Sequence, residues 1–333
     1  MTEVAGRPSS ADLVAMSKAM MGEGSKSFAQ ATKLFDRETR AGAYLLYAWC
    51  RHCDDVIDGQ ELGHGRETLT PEEQRLRLDG LYAKTRSALA GEPQDDRVFA
   101  AFQAVALRYA IPPEPALALI DGFAMDVEGR RYRTFDELLL YCWRVAGVVG
   151  VMMARVMGVT DPVTLRRAGD LGLAFQLTNI ARDVIDDAAN GRVYLPIDWL
   201  AEAGVPENAV GDPAHRGAVF AVARRLLQAA DPYYASARIG VSRLPVRSAW
   251  AIASARGVYR QIGRALLAGG PNAWERRVVV SKPAKLARVA EAGLIAAKAR
   301  LIEANRPEPP REGLWNPPGR TEIRTPEKRS RRT

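Results

Sequence analysis

Residues 41–58 read AGAYLLYAWCRHCDDVID, and this stretch decides what kind of fold the chain can form. Its first part, residues 41–53, is apolar on nearly every face of a helix, and Asp36 supplies a helix N-cap shortly before it. A helix that is apolar all round lies in the middle of a core. The stretch therefore predicts a central buried helix that ends in a run of aspartates.

The segments on both sides of this stretch also follow helical patterns, because they open with prolines, acidic first turns or capping residues. The positions that open or separate the predicted helices are Pro71, Pro112, Thr134, Pro162, Pro196, Pro213, Pro245 and Pro283. The helix after Thr134 is expected to run unbroken to Met157, and the helix after Pro162 to about Asp187. Strand patterns are nearly absent, so the sequence predicts one all-α domain over residues 1–305.

Composition places the chain among ordinary globular proteins: 47% of its 333 residues are hydrophobic and 26% are charged. The longest uncharged apolar run in the middle of the chain, residues 145–154, is too short to cross a bilayer, and no signal-peptide pattern is present. We therefore expect a cytoplasmic protein. Residues 306–333 hold six prolines and eight Lys/Arg, which predicts a disordered Pro/Arg-rich tail.

A basic region, residues 216–304, carries sixteen Lys/Arg against four Asp/Glu. Such a region suits a polyanionic partner, and charge alone leaves a nucleic acid, an anionic membrane surface and a phosphorylated substrate open. The basic residues form no recognisable nucleic-acid-binding module, so no nucleic acid is expected. The few cysteines and histidines lack zinc-site spacing, and no dinucleotide-binding G-x-G-x-x-G is present.

Two acidic motifs end two of the predicted helices. Asp54 and Asp58 form one D-x-x-x-D pair, and the second pair is Asp183 and Asp187, so each pair lies on one helical face. Like charges at this spacing repel, whereas a hard divalent cation such as Mg²⁺ prefers carboxylate oxygens together with substrate phosphates. One such motif is typical of a solvated helix end. Two motifs with neighbouring arginines favour a site for metal and diphosphate. Those arginines are Arg51, Arg182 and Arg192.

Two amide side chains precede the second motif. Gln176 and Asn179 share the helical face of Asp183 and Asp187. Amides in a helix core need hydrogen-bond partners, and the wall of a polar cavity would supply them. The alternative, in which they cap local backbone or face solvent, stays open.

Several segments, in order along the chain, resemble the squalene/phytoene synthase family. They are residues 24–28 (GSKSF), 47–58 (YAWCRHCDDVID), 141–150 (YCWRVAGVVG), 171–196, 259–262 (YRQI) and 277–282 (RVVVSK). The resemblance runs from about residue 24 to residue 286 and shows no departure at a position that the family uses for catalysis. It implies a class I isoprenoid-synthase-like helical bundle with a central cavity.

The resemblance also implies a prenyltransferase. The expected reaction joins two geranylgeranyl diphosphates head to head, through prephytoene diphosphate, to phytoene, the first committed step of carotenoid biosynthesis. It implies two or more Mg²⁺ or Mn²⁺ ions, no NADPH, and peripheral contact with a membrane, because substrate and product are lipids. A squalene or dehydrosqualene type of enzyme that uses farnesyl diphosphate, and a non-catalytic family member, are the alternatives.

The resemblance assigns roles to individual residues. The expected metal ligands are Asp54, Asp58, Asn179, Asp183 and Asp187. The expected catalytic residues are the same four aspartates together with Tyr47 and Tyr141. The residues expected to bind diphosphate are Ser25, Arg51, Gln176, Asn179, Arg182, Arg192, Tyr259 and Arg277. The expected walls of an apolar tunnel are Phe28, Val145, Gly147, Val148, Leu173 and Phe175. For Gly147, tight helix packing is an equally open interpretation.

Overall fold

The computed structural model describes residues 9–24, 26–60, 62, 69–276, 278–299, 301 and 309–318, and within these ranges the chain is helical with no β-strand. The helices are α1 (Ser10–Gly24), α2 (Lys26–Thr32), α3 (Arg37–Asp58), α4 (Pro71–Leu89), α5 (Arg97–Arg108), α6 (Pro113–Val127), α7 (Phe135–Cys142), α8 (Val148–Val156), α9 (Pro162–Ala189), α10 (Ile197–Glu202), α11 (Arg216–Val241), α12 (Val246–Gly269) and α13 (Lys282–Lys298). The prediction of an all-α fold is confirmed, and α1, α2 and α5 are additions to the predicted helices.

Helix α3 is the central helix that the sequence predicts. The carboxylate of Asp36 caps it by accepting hydrogen bonds from the backbone N–H groups of Glu38 and Thr39, at 3.0 and 2.9 Å. In its middle, Trp49 is fully buried and stacks on Phe102 of α5 with ring centroids 4.0 Å apart. Cap and stacking together fix the position of the helix, and with it the acidic motif in the last turns.

The long helix predicted to follow Thr134 forms, but a π-helical turn, Trp143–Gly147, interrupts it between α7 and α8. Such turns are frequent at functional sites. Within the described residues, Phe135–Val156 is also long and apolar enough to span a bilayer. A buried core helix passes the same test, and 56% of the most apolar window of this stretch is buried inside the fold.

Helix α9 approaches the π turn at backbone contact distance. A Cβ atom built on Gly172 would lie 2.2 Å from the carbonyl oxygen of Ala146 and 2.7 Å from the Cα of Gly147. A Cβ on Gly150 of α8 would likewise lie 2.4 Å from the carbonyl oxygen of Ala168. Real Cβ atoms do not show such distances, so only glycine permits α9 and the stretch containing the π turn to pack this closely.

Helices α3 and α9 both end at the acidic motifs. The structure describes the last turn of each helix completely, and neither turn carries a basic residue. Each helix is followed by a glycine with positive φ, Gly59 at 64° and Gly191 at 75°, which reverses the chain at no steric cost. The C-terminal end of a helix carries partial negative charge. Both motifs therefore lie where the helix dipole adds to the charge of the aspartates.

The prediction of a disordered tail over residues 306–333 is wrong for residues 309–318, which pack against the core. Arg311 forms a bidentate ion pair with Asp170 of α9, whose side chain is completely buried. Leu314 and Trp315 pack against the apolar cluster around α9 and α11. The proline-rich composition predicted disorder because it lacks apolar periodicity, whereas one buried carboxylate and two apolar side chains hold this segment. Residues 302–308 and 319–333, with the predicted boundary between 305 and 306, lie outside the described residues.

Candidate active site

A cavity of about 1460 Å³ opens between α2, α3, α6, α7, α8, α9, α11, α12 and α13. Ligand pockets usually measure roughly 300–1,000 Å³, so this volume suits more than one ordinary ligand. The predicted site residues that line it are Phe28, Tyr47, Arg51, Asp54, Asp58, Tyr141, Val145, Phe175, Gln176, Asn179, Arg182, Asp183, Asp187, Arg192 and Tyr259. The fold thus brings most of the predicted residues from distant helices to one cavity.

The first acidic pair lies at the end of α3. Asp54 accepts a hydrogen bond from Nη1 of Arg51 at 2.7 Å, and Asp58 accepts one from Nη2 of Arg192 at 2.6 Å. Burial, followed by the like charge of Asp58, raises the pKa of Asp54 to about 6, although Arg51 acts in the opposite direction. Because Arg192 follows α9, its ion pair with Asp58 also holds the ends of α3 and α9 together.

The second acidic pair lies at the end of α9. Arg182 donates from Nε to one oxygen of Asp183 at 2.8 Å and from Nη2 to the other oxygen. Burial, and then the negative charge of Asp183, raise the pKa of Asp187 to about 7. In both pairs one carboxylate is therefore held in an environment that disfavours its charge, and a cation would relieve that cost.

The two amides lie beside this pair on the cavity wall rather than on a solvent-facing side. Nδ2 of Asn179 donates to Oε1 of Gln176 at 3.4 Å. Oδ1 of Asn179 is buried and has no hydrogen-bond partner among the described residues. A buried amide oxygen without a partner costs free energy, so it is available to a cation or to a donor group of a ligand.

The donor set of this wall fits divalent cations that also bind a diphosphate. Among the described residues, no three acidic, histidine or cysteine side chains converge to make a closed metal site. Mg²⁺ is usually held by only one or two carboxylates, with water and substrate phosphate oxygens completing its shell. Two carboxylate pairs at facing helix ends, together with the unpartnered Oδ1 of Asn179, match that demand.

A second polar cluster on the same wall surrounds Asp126 near the end of α6. Tyr141 and Tyr194 donate their hydroxyls to its two carboxylate oxygens, each at 3.0 Å, and their rings stack with centroids 5.1 Å apart. Burial raises the pKa of Asp126 to about 6, and burial also raises the pKa of Tyr141 far above its usual range. The cluster fixes two phenol rings at the cavity.

Sequence reasoning missed Asp126, and it assigned no role to Tyr194. A signal for Asp126 exists, since it ends a strongly apolar helix in the same way as the two acidic motifs. It lacks an acidic partner four residues away, which is why the D-x-x-x-D pattern did not find it.

The apolar part of the cavity includes three of the predicted tunnel residues. The ring of Phe28 lies 5.8 Å from the ring of Tyr47, and Phe175 stacks on Tyr259 with centroids 4.0 Å apart. Val145, in the π turn, also lines the wall. These rings surround the space beside the acidic pairs with apolar and π surface.

Three other tunnel predictions are wrong, because the described cavity wall does not include Gly147, Val148 or Leu173. Val148 and Leu173 point into two buried apolar clusters on the other sides of their helices. Gly147 serves helix packing instead, with Trp143 and Gly172 against it. A helix that is apolar all round does not reveal from its sequence which side faces a cavity. The predicted diphosphate-binding residues Ser25 and Arg277 lie outside the described residues.

Comparisons with known proteins point to one family. The family model described as squalene/phytoene synthase matches residues 21–284. The chain is 53% identical over 300 residues to a phytoene synthase of Pseudescherichia vulneris, with 90% of this chain and 96% of the relative covered. It is 50% identical over 302 residues to the 15-cis-phytoene synthase of Pantoea ananas, with 90% and 96% covered.

Solved structures show a similar fold. A dehydrosqualene synthase crystallised with a ligand superposes with a TM-score of 0.77 at 24% identity, covering 87% of this chain and 98% of the other. A squalene synthase from Alicyclobacillus acidocaldarius gives a TM-score of 0.67 at 25% identity, covering 78% and 95%.

Proposed function

The chain belongs to the squalene/phytoene synthase family, and on that basis we propose that it is a prenyltransferase that condenses two geranylgeranyl diphosphates, through prephytoene diphosphate, to phytoene. This reaction is the first committed step of carotenoid biosynthesis. The observation that carries the proposal is that two aspartate pairs end at one wall of a large, mainly apolar cavity. Such a cavity separates a place for charged diphosphates from a place for hydrocarbon chains.

The arginines of the wall bind the diphosphate groups. Arg51, Arg182 and Arg192 each hold a carboxylate of the acidic motifs in the structure. A guanidinium binds phosphate oxygens with the same two-pronged geometry that it uses for carboxylates. When substrate occupies the wall, these side chains exchange carboxylate oxygens for phosphate oxygens and orient the leaving group.

Divalent cations, which we assign as Mg²⁺ or Mn²⁺, would be held by the carboxylates of Asp54, Asp58, Asp183 and Asp187 and by Oδ1 of Asn179. Cations held there would supply electrostatic stabilisation of the departing diphosphate, which ionisation of the allylic C–O bond requires. The raised pKa values of Asp54 and Asp187 agree with this assignment, because burial and a neighbouring carboxylate disfavour the negative charge of each group.

The rest of the wall protects and stabilises the carbocation. Phe28, Phe175 and Val145 exclude water, which would otherwise capture the cation as an alcohol. The faces of Tyr47 and Tyr141 offer negative π potential to a positive carbon nearby. The hydroxyl of Tyr141 stays bonded to Asp126, so the ring is held in one orientation.

A product assay tests this function. Purified protein with Mg²⁺ and labelled geranylgeranyl diphosphate, without NADPH, should yield a C40 hydrocarbon, while farnesyl diphosphate should yield little product. A C30 product as the main outcome would move the protein to the squalene or dehydrosqualene type. Absence of product from a folded protein with added lipid vesicles would contradict catalysis altogether.

We also assign a membrane-facing surface to α13, as expected of a cytoplasmic enzyme that handles lipids. Its outward side presents two large apolar side chains, with Leu286 70% exposed and Leu294 76% exposed, while Ala292 and Ala296 pack inward. Leu286 lines the cavity as well, beside Lys282. An apolar helix face flanked by basic residues binds the headgroup region of anionic membranes. A lipid substrate could then enter the cavity directly from the bilayer.

Vesicle binding tests this surface. Replacing Leu286 and Leu294 together by serine should reduce binding to anionic vesicles about tenfold or more, because each exposed leucine contributes roughly 1.5–3 kcal/mol when buried. Leu107→Ser on α5, where the leucine is 58% exposed, is the matched control and should bind as wild type. Equal binding by all three proteins would remove α13 from this role.

A further inference from the structure

The segment 309–318, called the strap here, is attached to the core by a buried ionic network. Nε and Nη2 of Arg311 donate to the two carboxylate oxygens of Asp170 at 2.8 and 2.6 Å. Oδ2 of Asp170 also accepts from the Ser236 hydroxyl on α11, at 2.5 Å. Arg311 is 9% exposed and Asp170 is not exposed at all, so the pair is shielded from water. Such a pair is held firmly, because either partner alone would be an uncompensated buried charge.

Arg167 connects this network to the cavity. It is 1% exposed, lines the cavity wall, and donates from Nη1 to the Ser236 hydroxyl at 3.0 Å. Its Nη2 donates to the carbonyl oxygen of Pro309 in the strap. Gly240 of α11, another lining residue, packs against Arg167, since a Cβ there would lie 3.0 Å from the Cβ of Arg167. The strap therefore touches a side chain that forms part of the cavity wall.

This contact lies far from the acidic motifs. The cavity wall follows α9 from Thr164 to Asp187. Arg167 and Asp183 are separated along this helix by about 24 Å at 1.5 Å per residue. Around Arg167 the wall is made by small and apolar residues of α9 and α11, such as Ala168, Ala237 and Val241. A prenyl chain whose diphosphate is held at Asp183 would point its far end toward this region.

We propose that the strap fixes α9 against α11 at this distal end of the cavity and thereby limits the length of the prenyl chain that binds. The proposal rests on the proposed function for the direction in which the substrate lies. Arg311 acts as a positioning residue, because its hydrogen bonds connect to the cavity-lining Arg167 through Asp170 and Ser236. Releasing the strap would leave Asp170 without its bidentate partner, and α9 and α11 would separate where the chain ends.

Two truncations make the sharpest comparison. A chain ending at residue 318 keeps the strap and loses the basic residues beyond it, whereas a chain ending at residue 308 loses both. Arg311→Gln tests the ion pair alone. Its matched control is Arg225→Gln, which breaks an exposed ion pair between α11 and Glu202. Arg311→Lys keeps the positive charge but cannot form the two parallel hydrogen bonds to Asp170. It replaces the other strap variants in the comparison if they fail to fold.

The readout is the ratio of dissociation constants for the C20 and C25 prenyl S-thiolodiphosphates, measured with Mg²⁺ by calorimetry, so that turnover is not required. Loss of the strap or of its ion pair should raise the relative affinity for the C25 chain at least about tenfold, because a pocket discriminates by roughly that factor even for a single methylene. The chain ending at residue 318 and Arg225→Gln should keep the wild-type ratio.

Hydrogen exchange of amides 309–318 runs beside the binding measurement. Faster exchange in Arg311→Gln with an unchanged affinity ratio would show that the strap only stabilises the fold, and would overturn the proposal. Unchanged exchange and an unchanged ratio would overturn it as well. If wild-type protein binds both analogues yet makes no C40 hydrocarbon, the proposed function fails while the affinity ratio still decides the role of the strap.

Discussion

Replacing Gly172 by alanine should separate α9 from the π turn, and the structure sets the size of the effect. The new Cβ would meet the carbonyl oxygen of Ala146 at 2.2 Å, whereas ordinary contact begins at 3.4 Å. Backbone has no flexible end that could turn aside, so the two elements must move apart by roughly 1 Å. Overpacking of this kind costs about 1–3 kcal/mol, and we expect the upper end because the contact is with backbone.

Activity should fall more steeply than stability. Gln176 lies one helical turn beyond Gly172, and Tyr141 precedes the π turn on the other side of the contact. Both side chains line the cavity, so a shift of about 1 Å between their helices would lower kcat/KM by roughly 100-fold. Gly80→Ala in α4 is the control, since a Cβ at Gly80 meets nothing within 4 Å. That substitution should stabilise the protein by about 0.5–1 kcal/mol.

Thermal unfolding followed by circular dichroism, together with the C40 product assay, measures both effects. Gly172→Ala should lower Tm by roughly 6–12 °C, given about 2–4 °C per kcal/mol for a large domain, while Gly80→Ala raises it slightly. Wild-type Tm and wild-type turnover in Gly172→Ala would refute the reasoning, because α9 and the π turn would then accommodate a Cβ atom without moving apart. A fall in Tm with normal turnover would refute only the link to the site.

Three further predictions concern single carboxylates. Asp183→Asn should abolish turnover with an unchanged circular dichroism spectrum. Mg²⁺ should raise the Tm of this variant less than the Tm of wild type, because a ligand that binds only the folded state stabilises that state. An equal Mg²⁺ effect on both proteins would exclude Asp183 as a ligand. The pKa of Asp126 is raised in the folded state, so its effect on the free energy of unfolding is a loss of stability as pH rises from about 4 to about 6. Asp126→Asn should lack this loss when Tm is measured across the same pH range. Parallel Tm profiles for the variant and wild type would contradict the raised pKa. Asp36→Ala should cost about 0.5–2 kcal/mol in denaturant unfolding by removing the cap of α3, and an unchanged unfolding midpoint would show that packing of Trp49 suffices.

The parts of the fold that could be predicted from the sequence depend on short local patterns. Asp36, Thr134 and Asp161 are caps whose partners lie two or three residues away, so the starts of α3, α7 and α9 follow from short windows. The spacing within each acidic motif is equally local. Convergence of the two motifs was expected because paired carboxylates with neighbouring arginines suit a site for metal and diphosphate. In the structure, the ion pair between Asp58 and Arg192 links the two helix ends.

The features that escaped prediction depend on contacts between distant residues. Asp170 and Arg311 are 141 positions apart, and neither residue has a neighbouring pattern that indicates the other. Leu173 and Phe175 belong to the same apolar helix, yet only Phe175 lines the cavity, because the position of α11 decides which side is covered. Hydrophobicity predicts burial, but it does not distinguish burial in a core from exposure to an enclosed apolar cavity.

The way in which α3 and α9 end has a consequence for the order of binding. Two negative helix termini, each with an aspartate pair and no basic residue in the last turn, face the same space. Their combined potential opposes the entry of a bare diphosphate, which carries several negative charges of its own. The three arginines of the wall are already paired with these aspartates and offset only part of this charge. We therefore expect inorganic diphosphate to compete with substrate only when divalent cations accompany it.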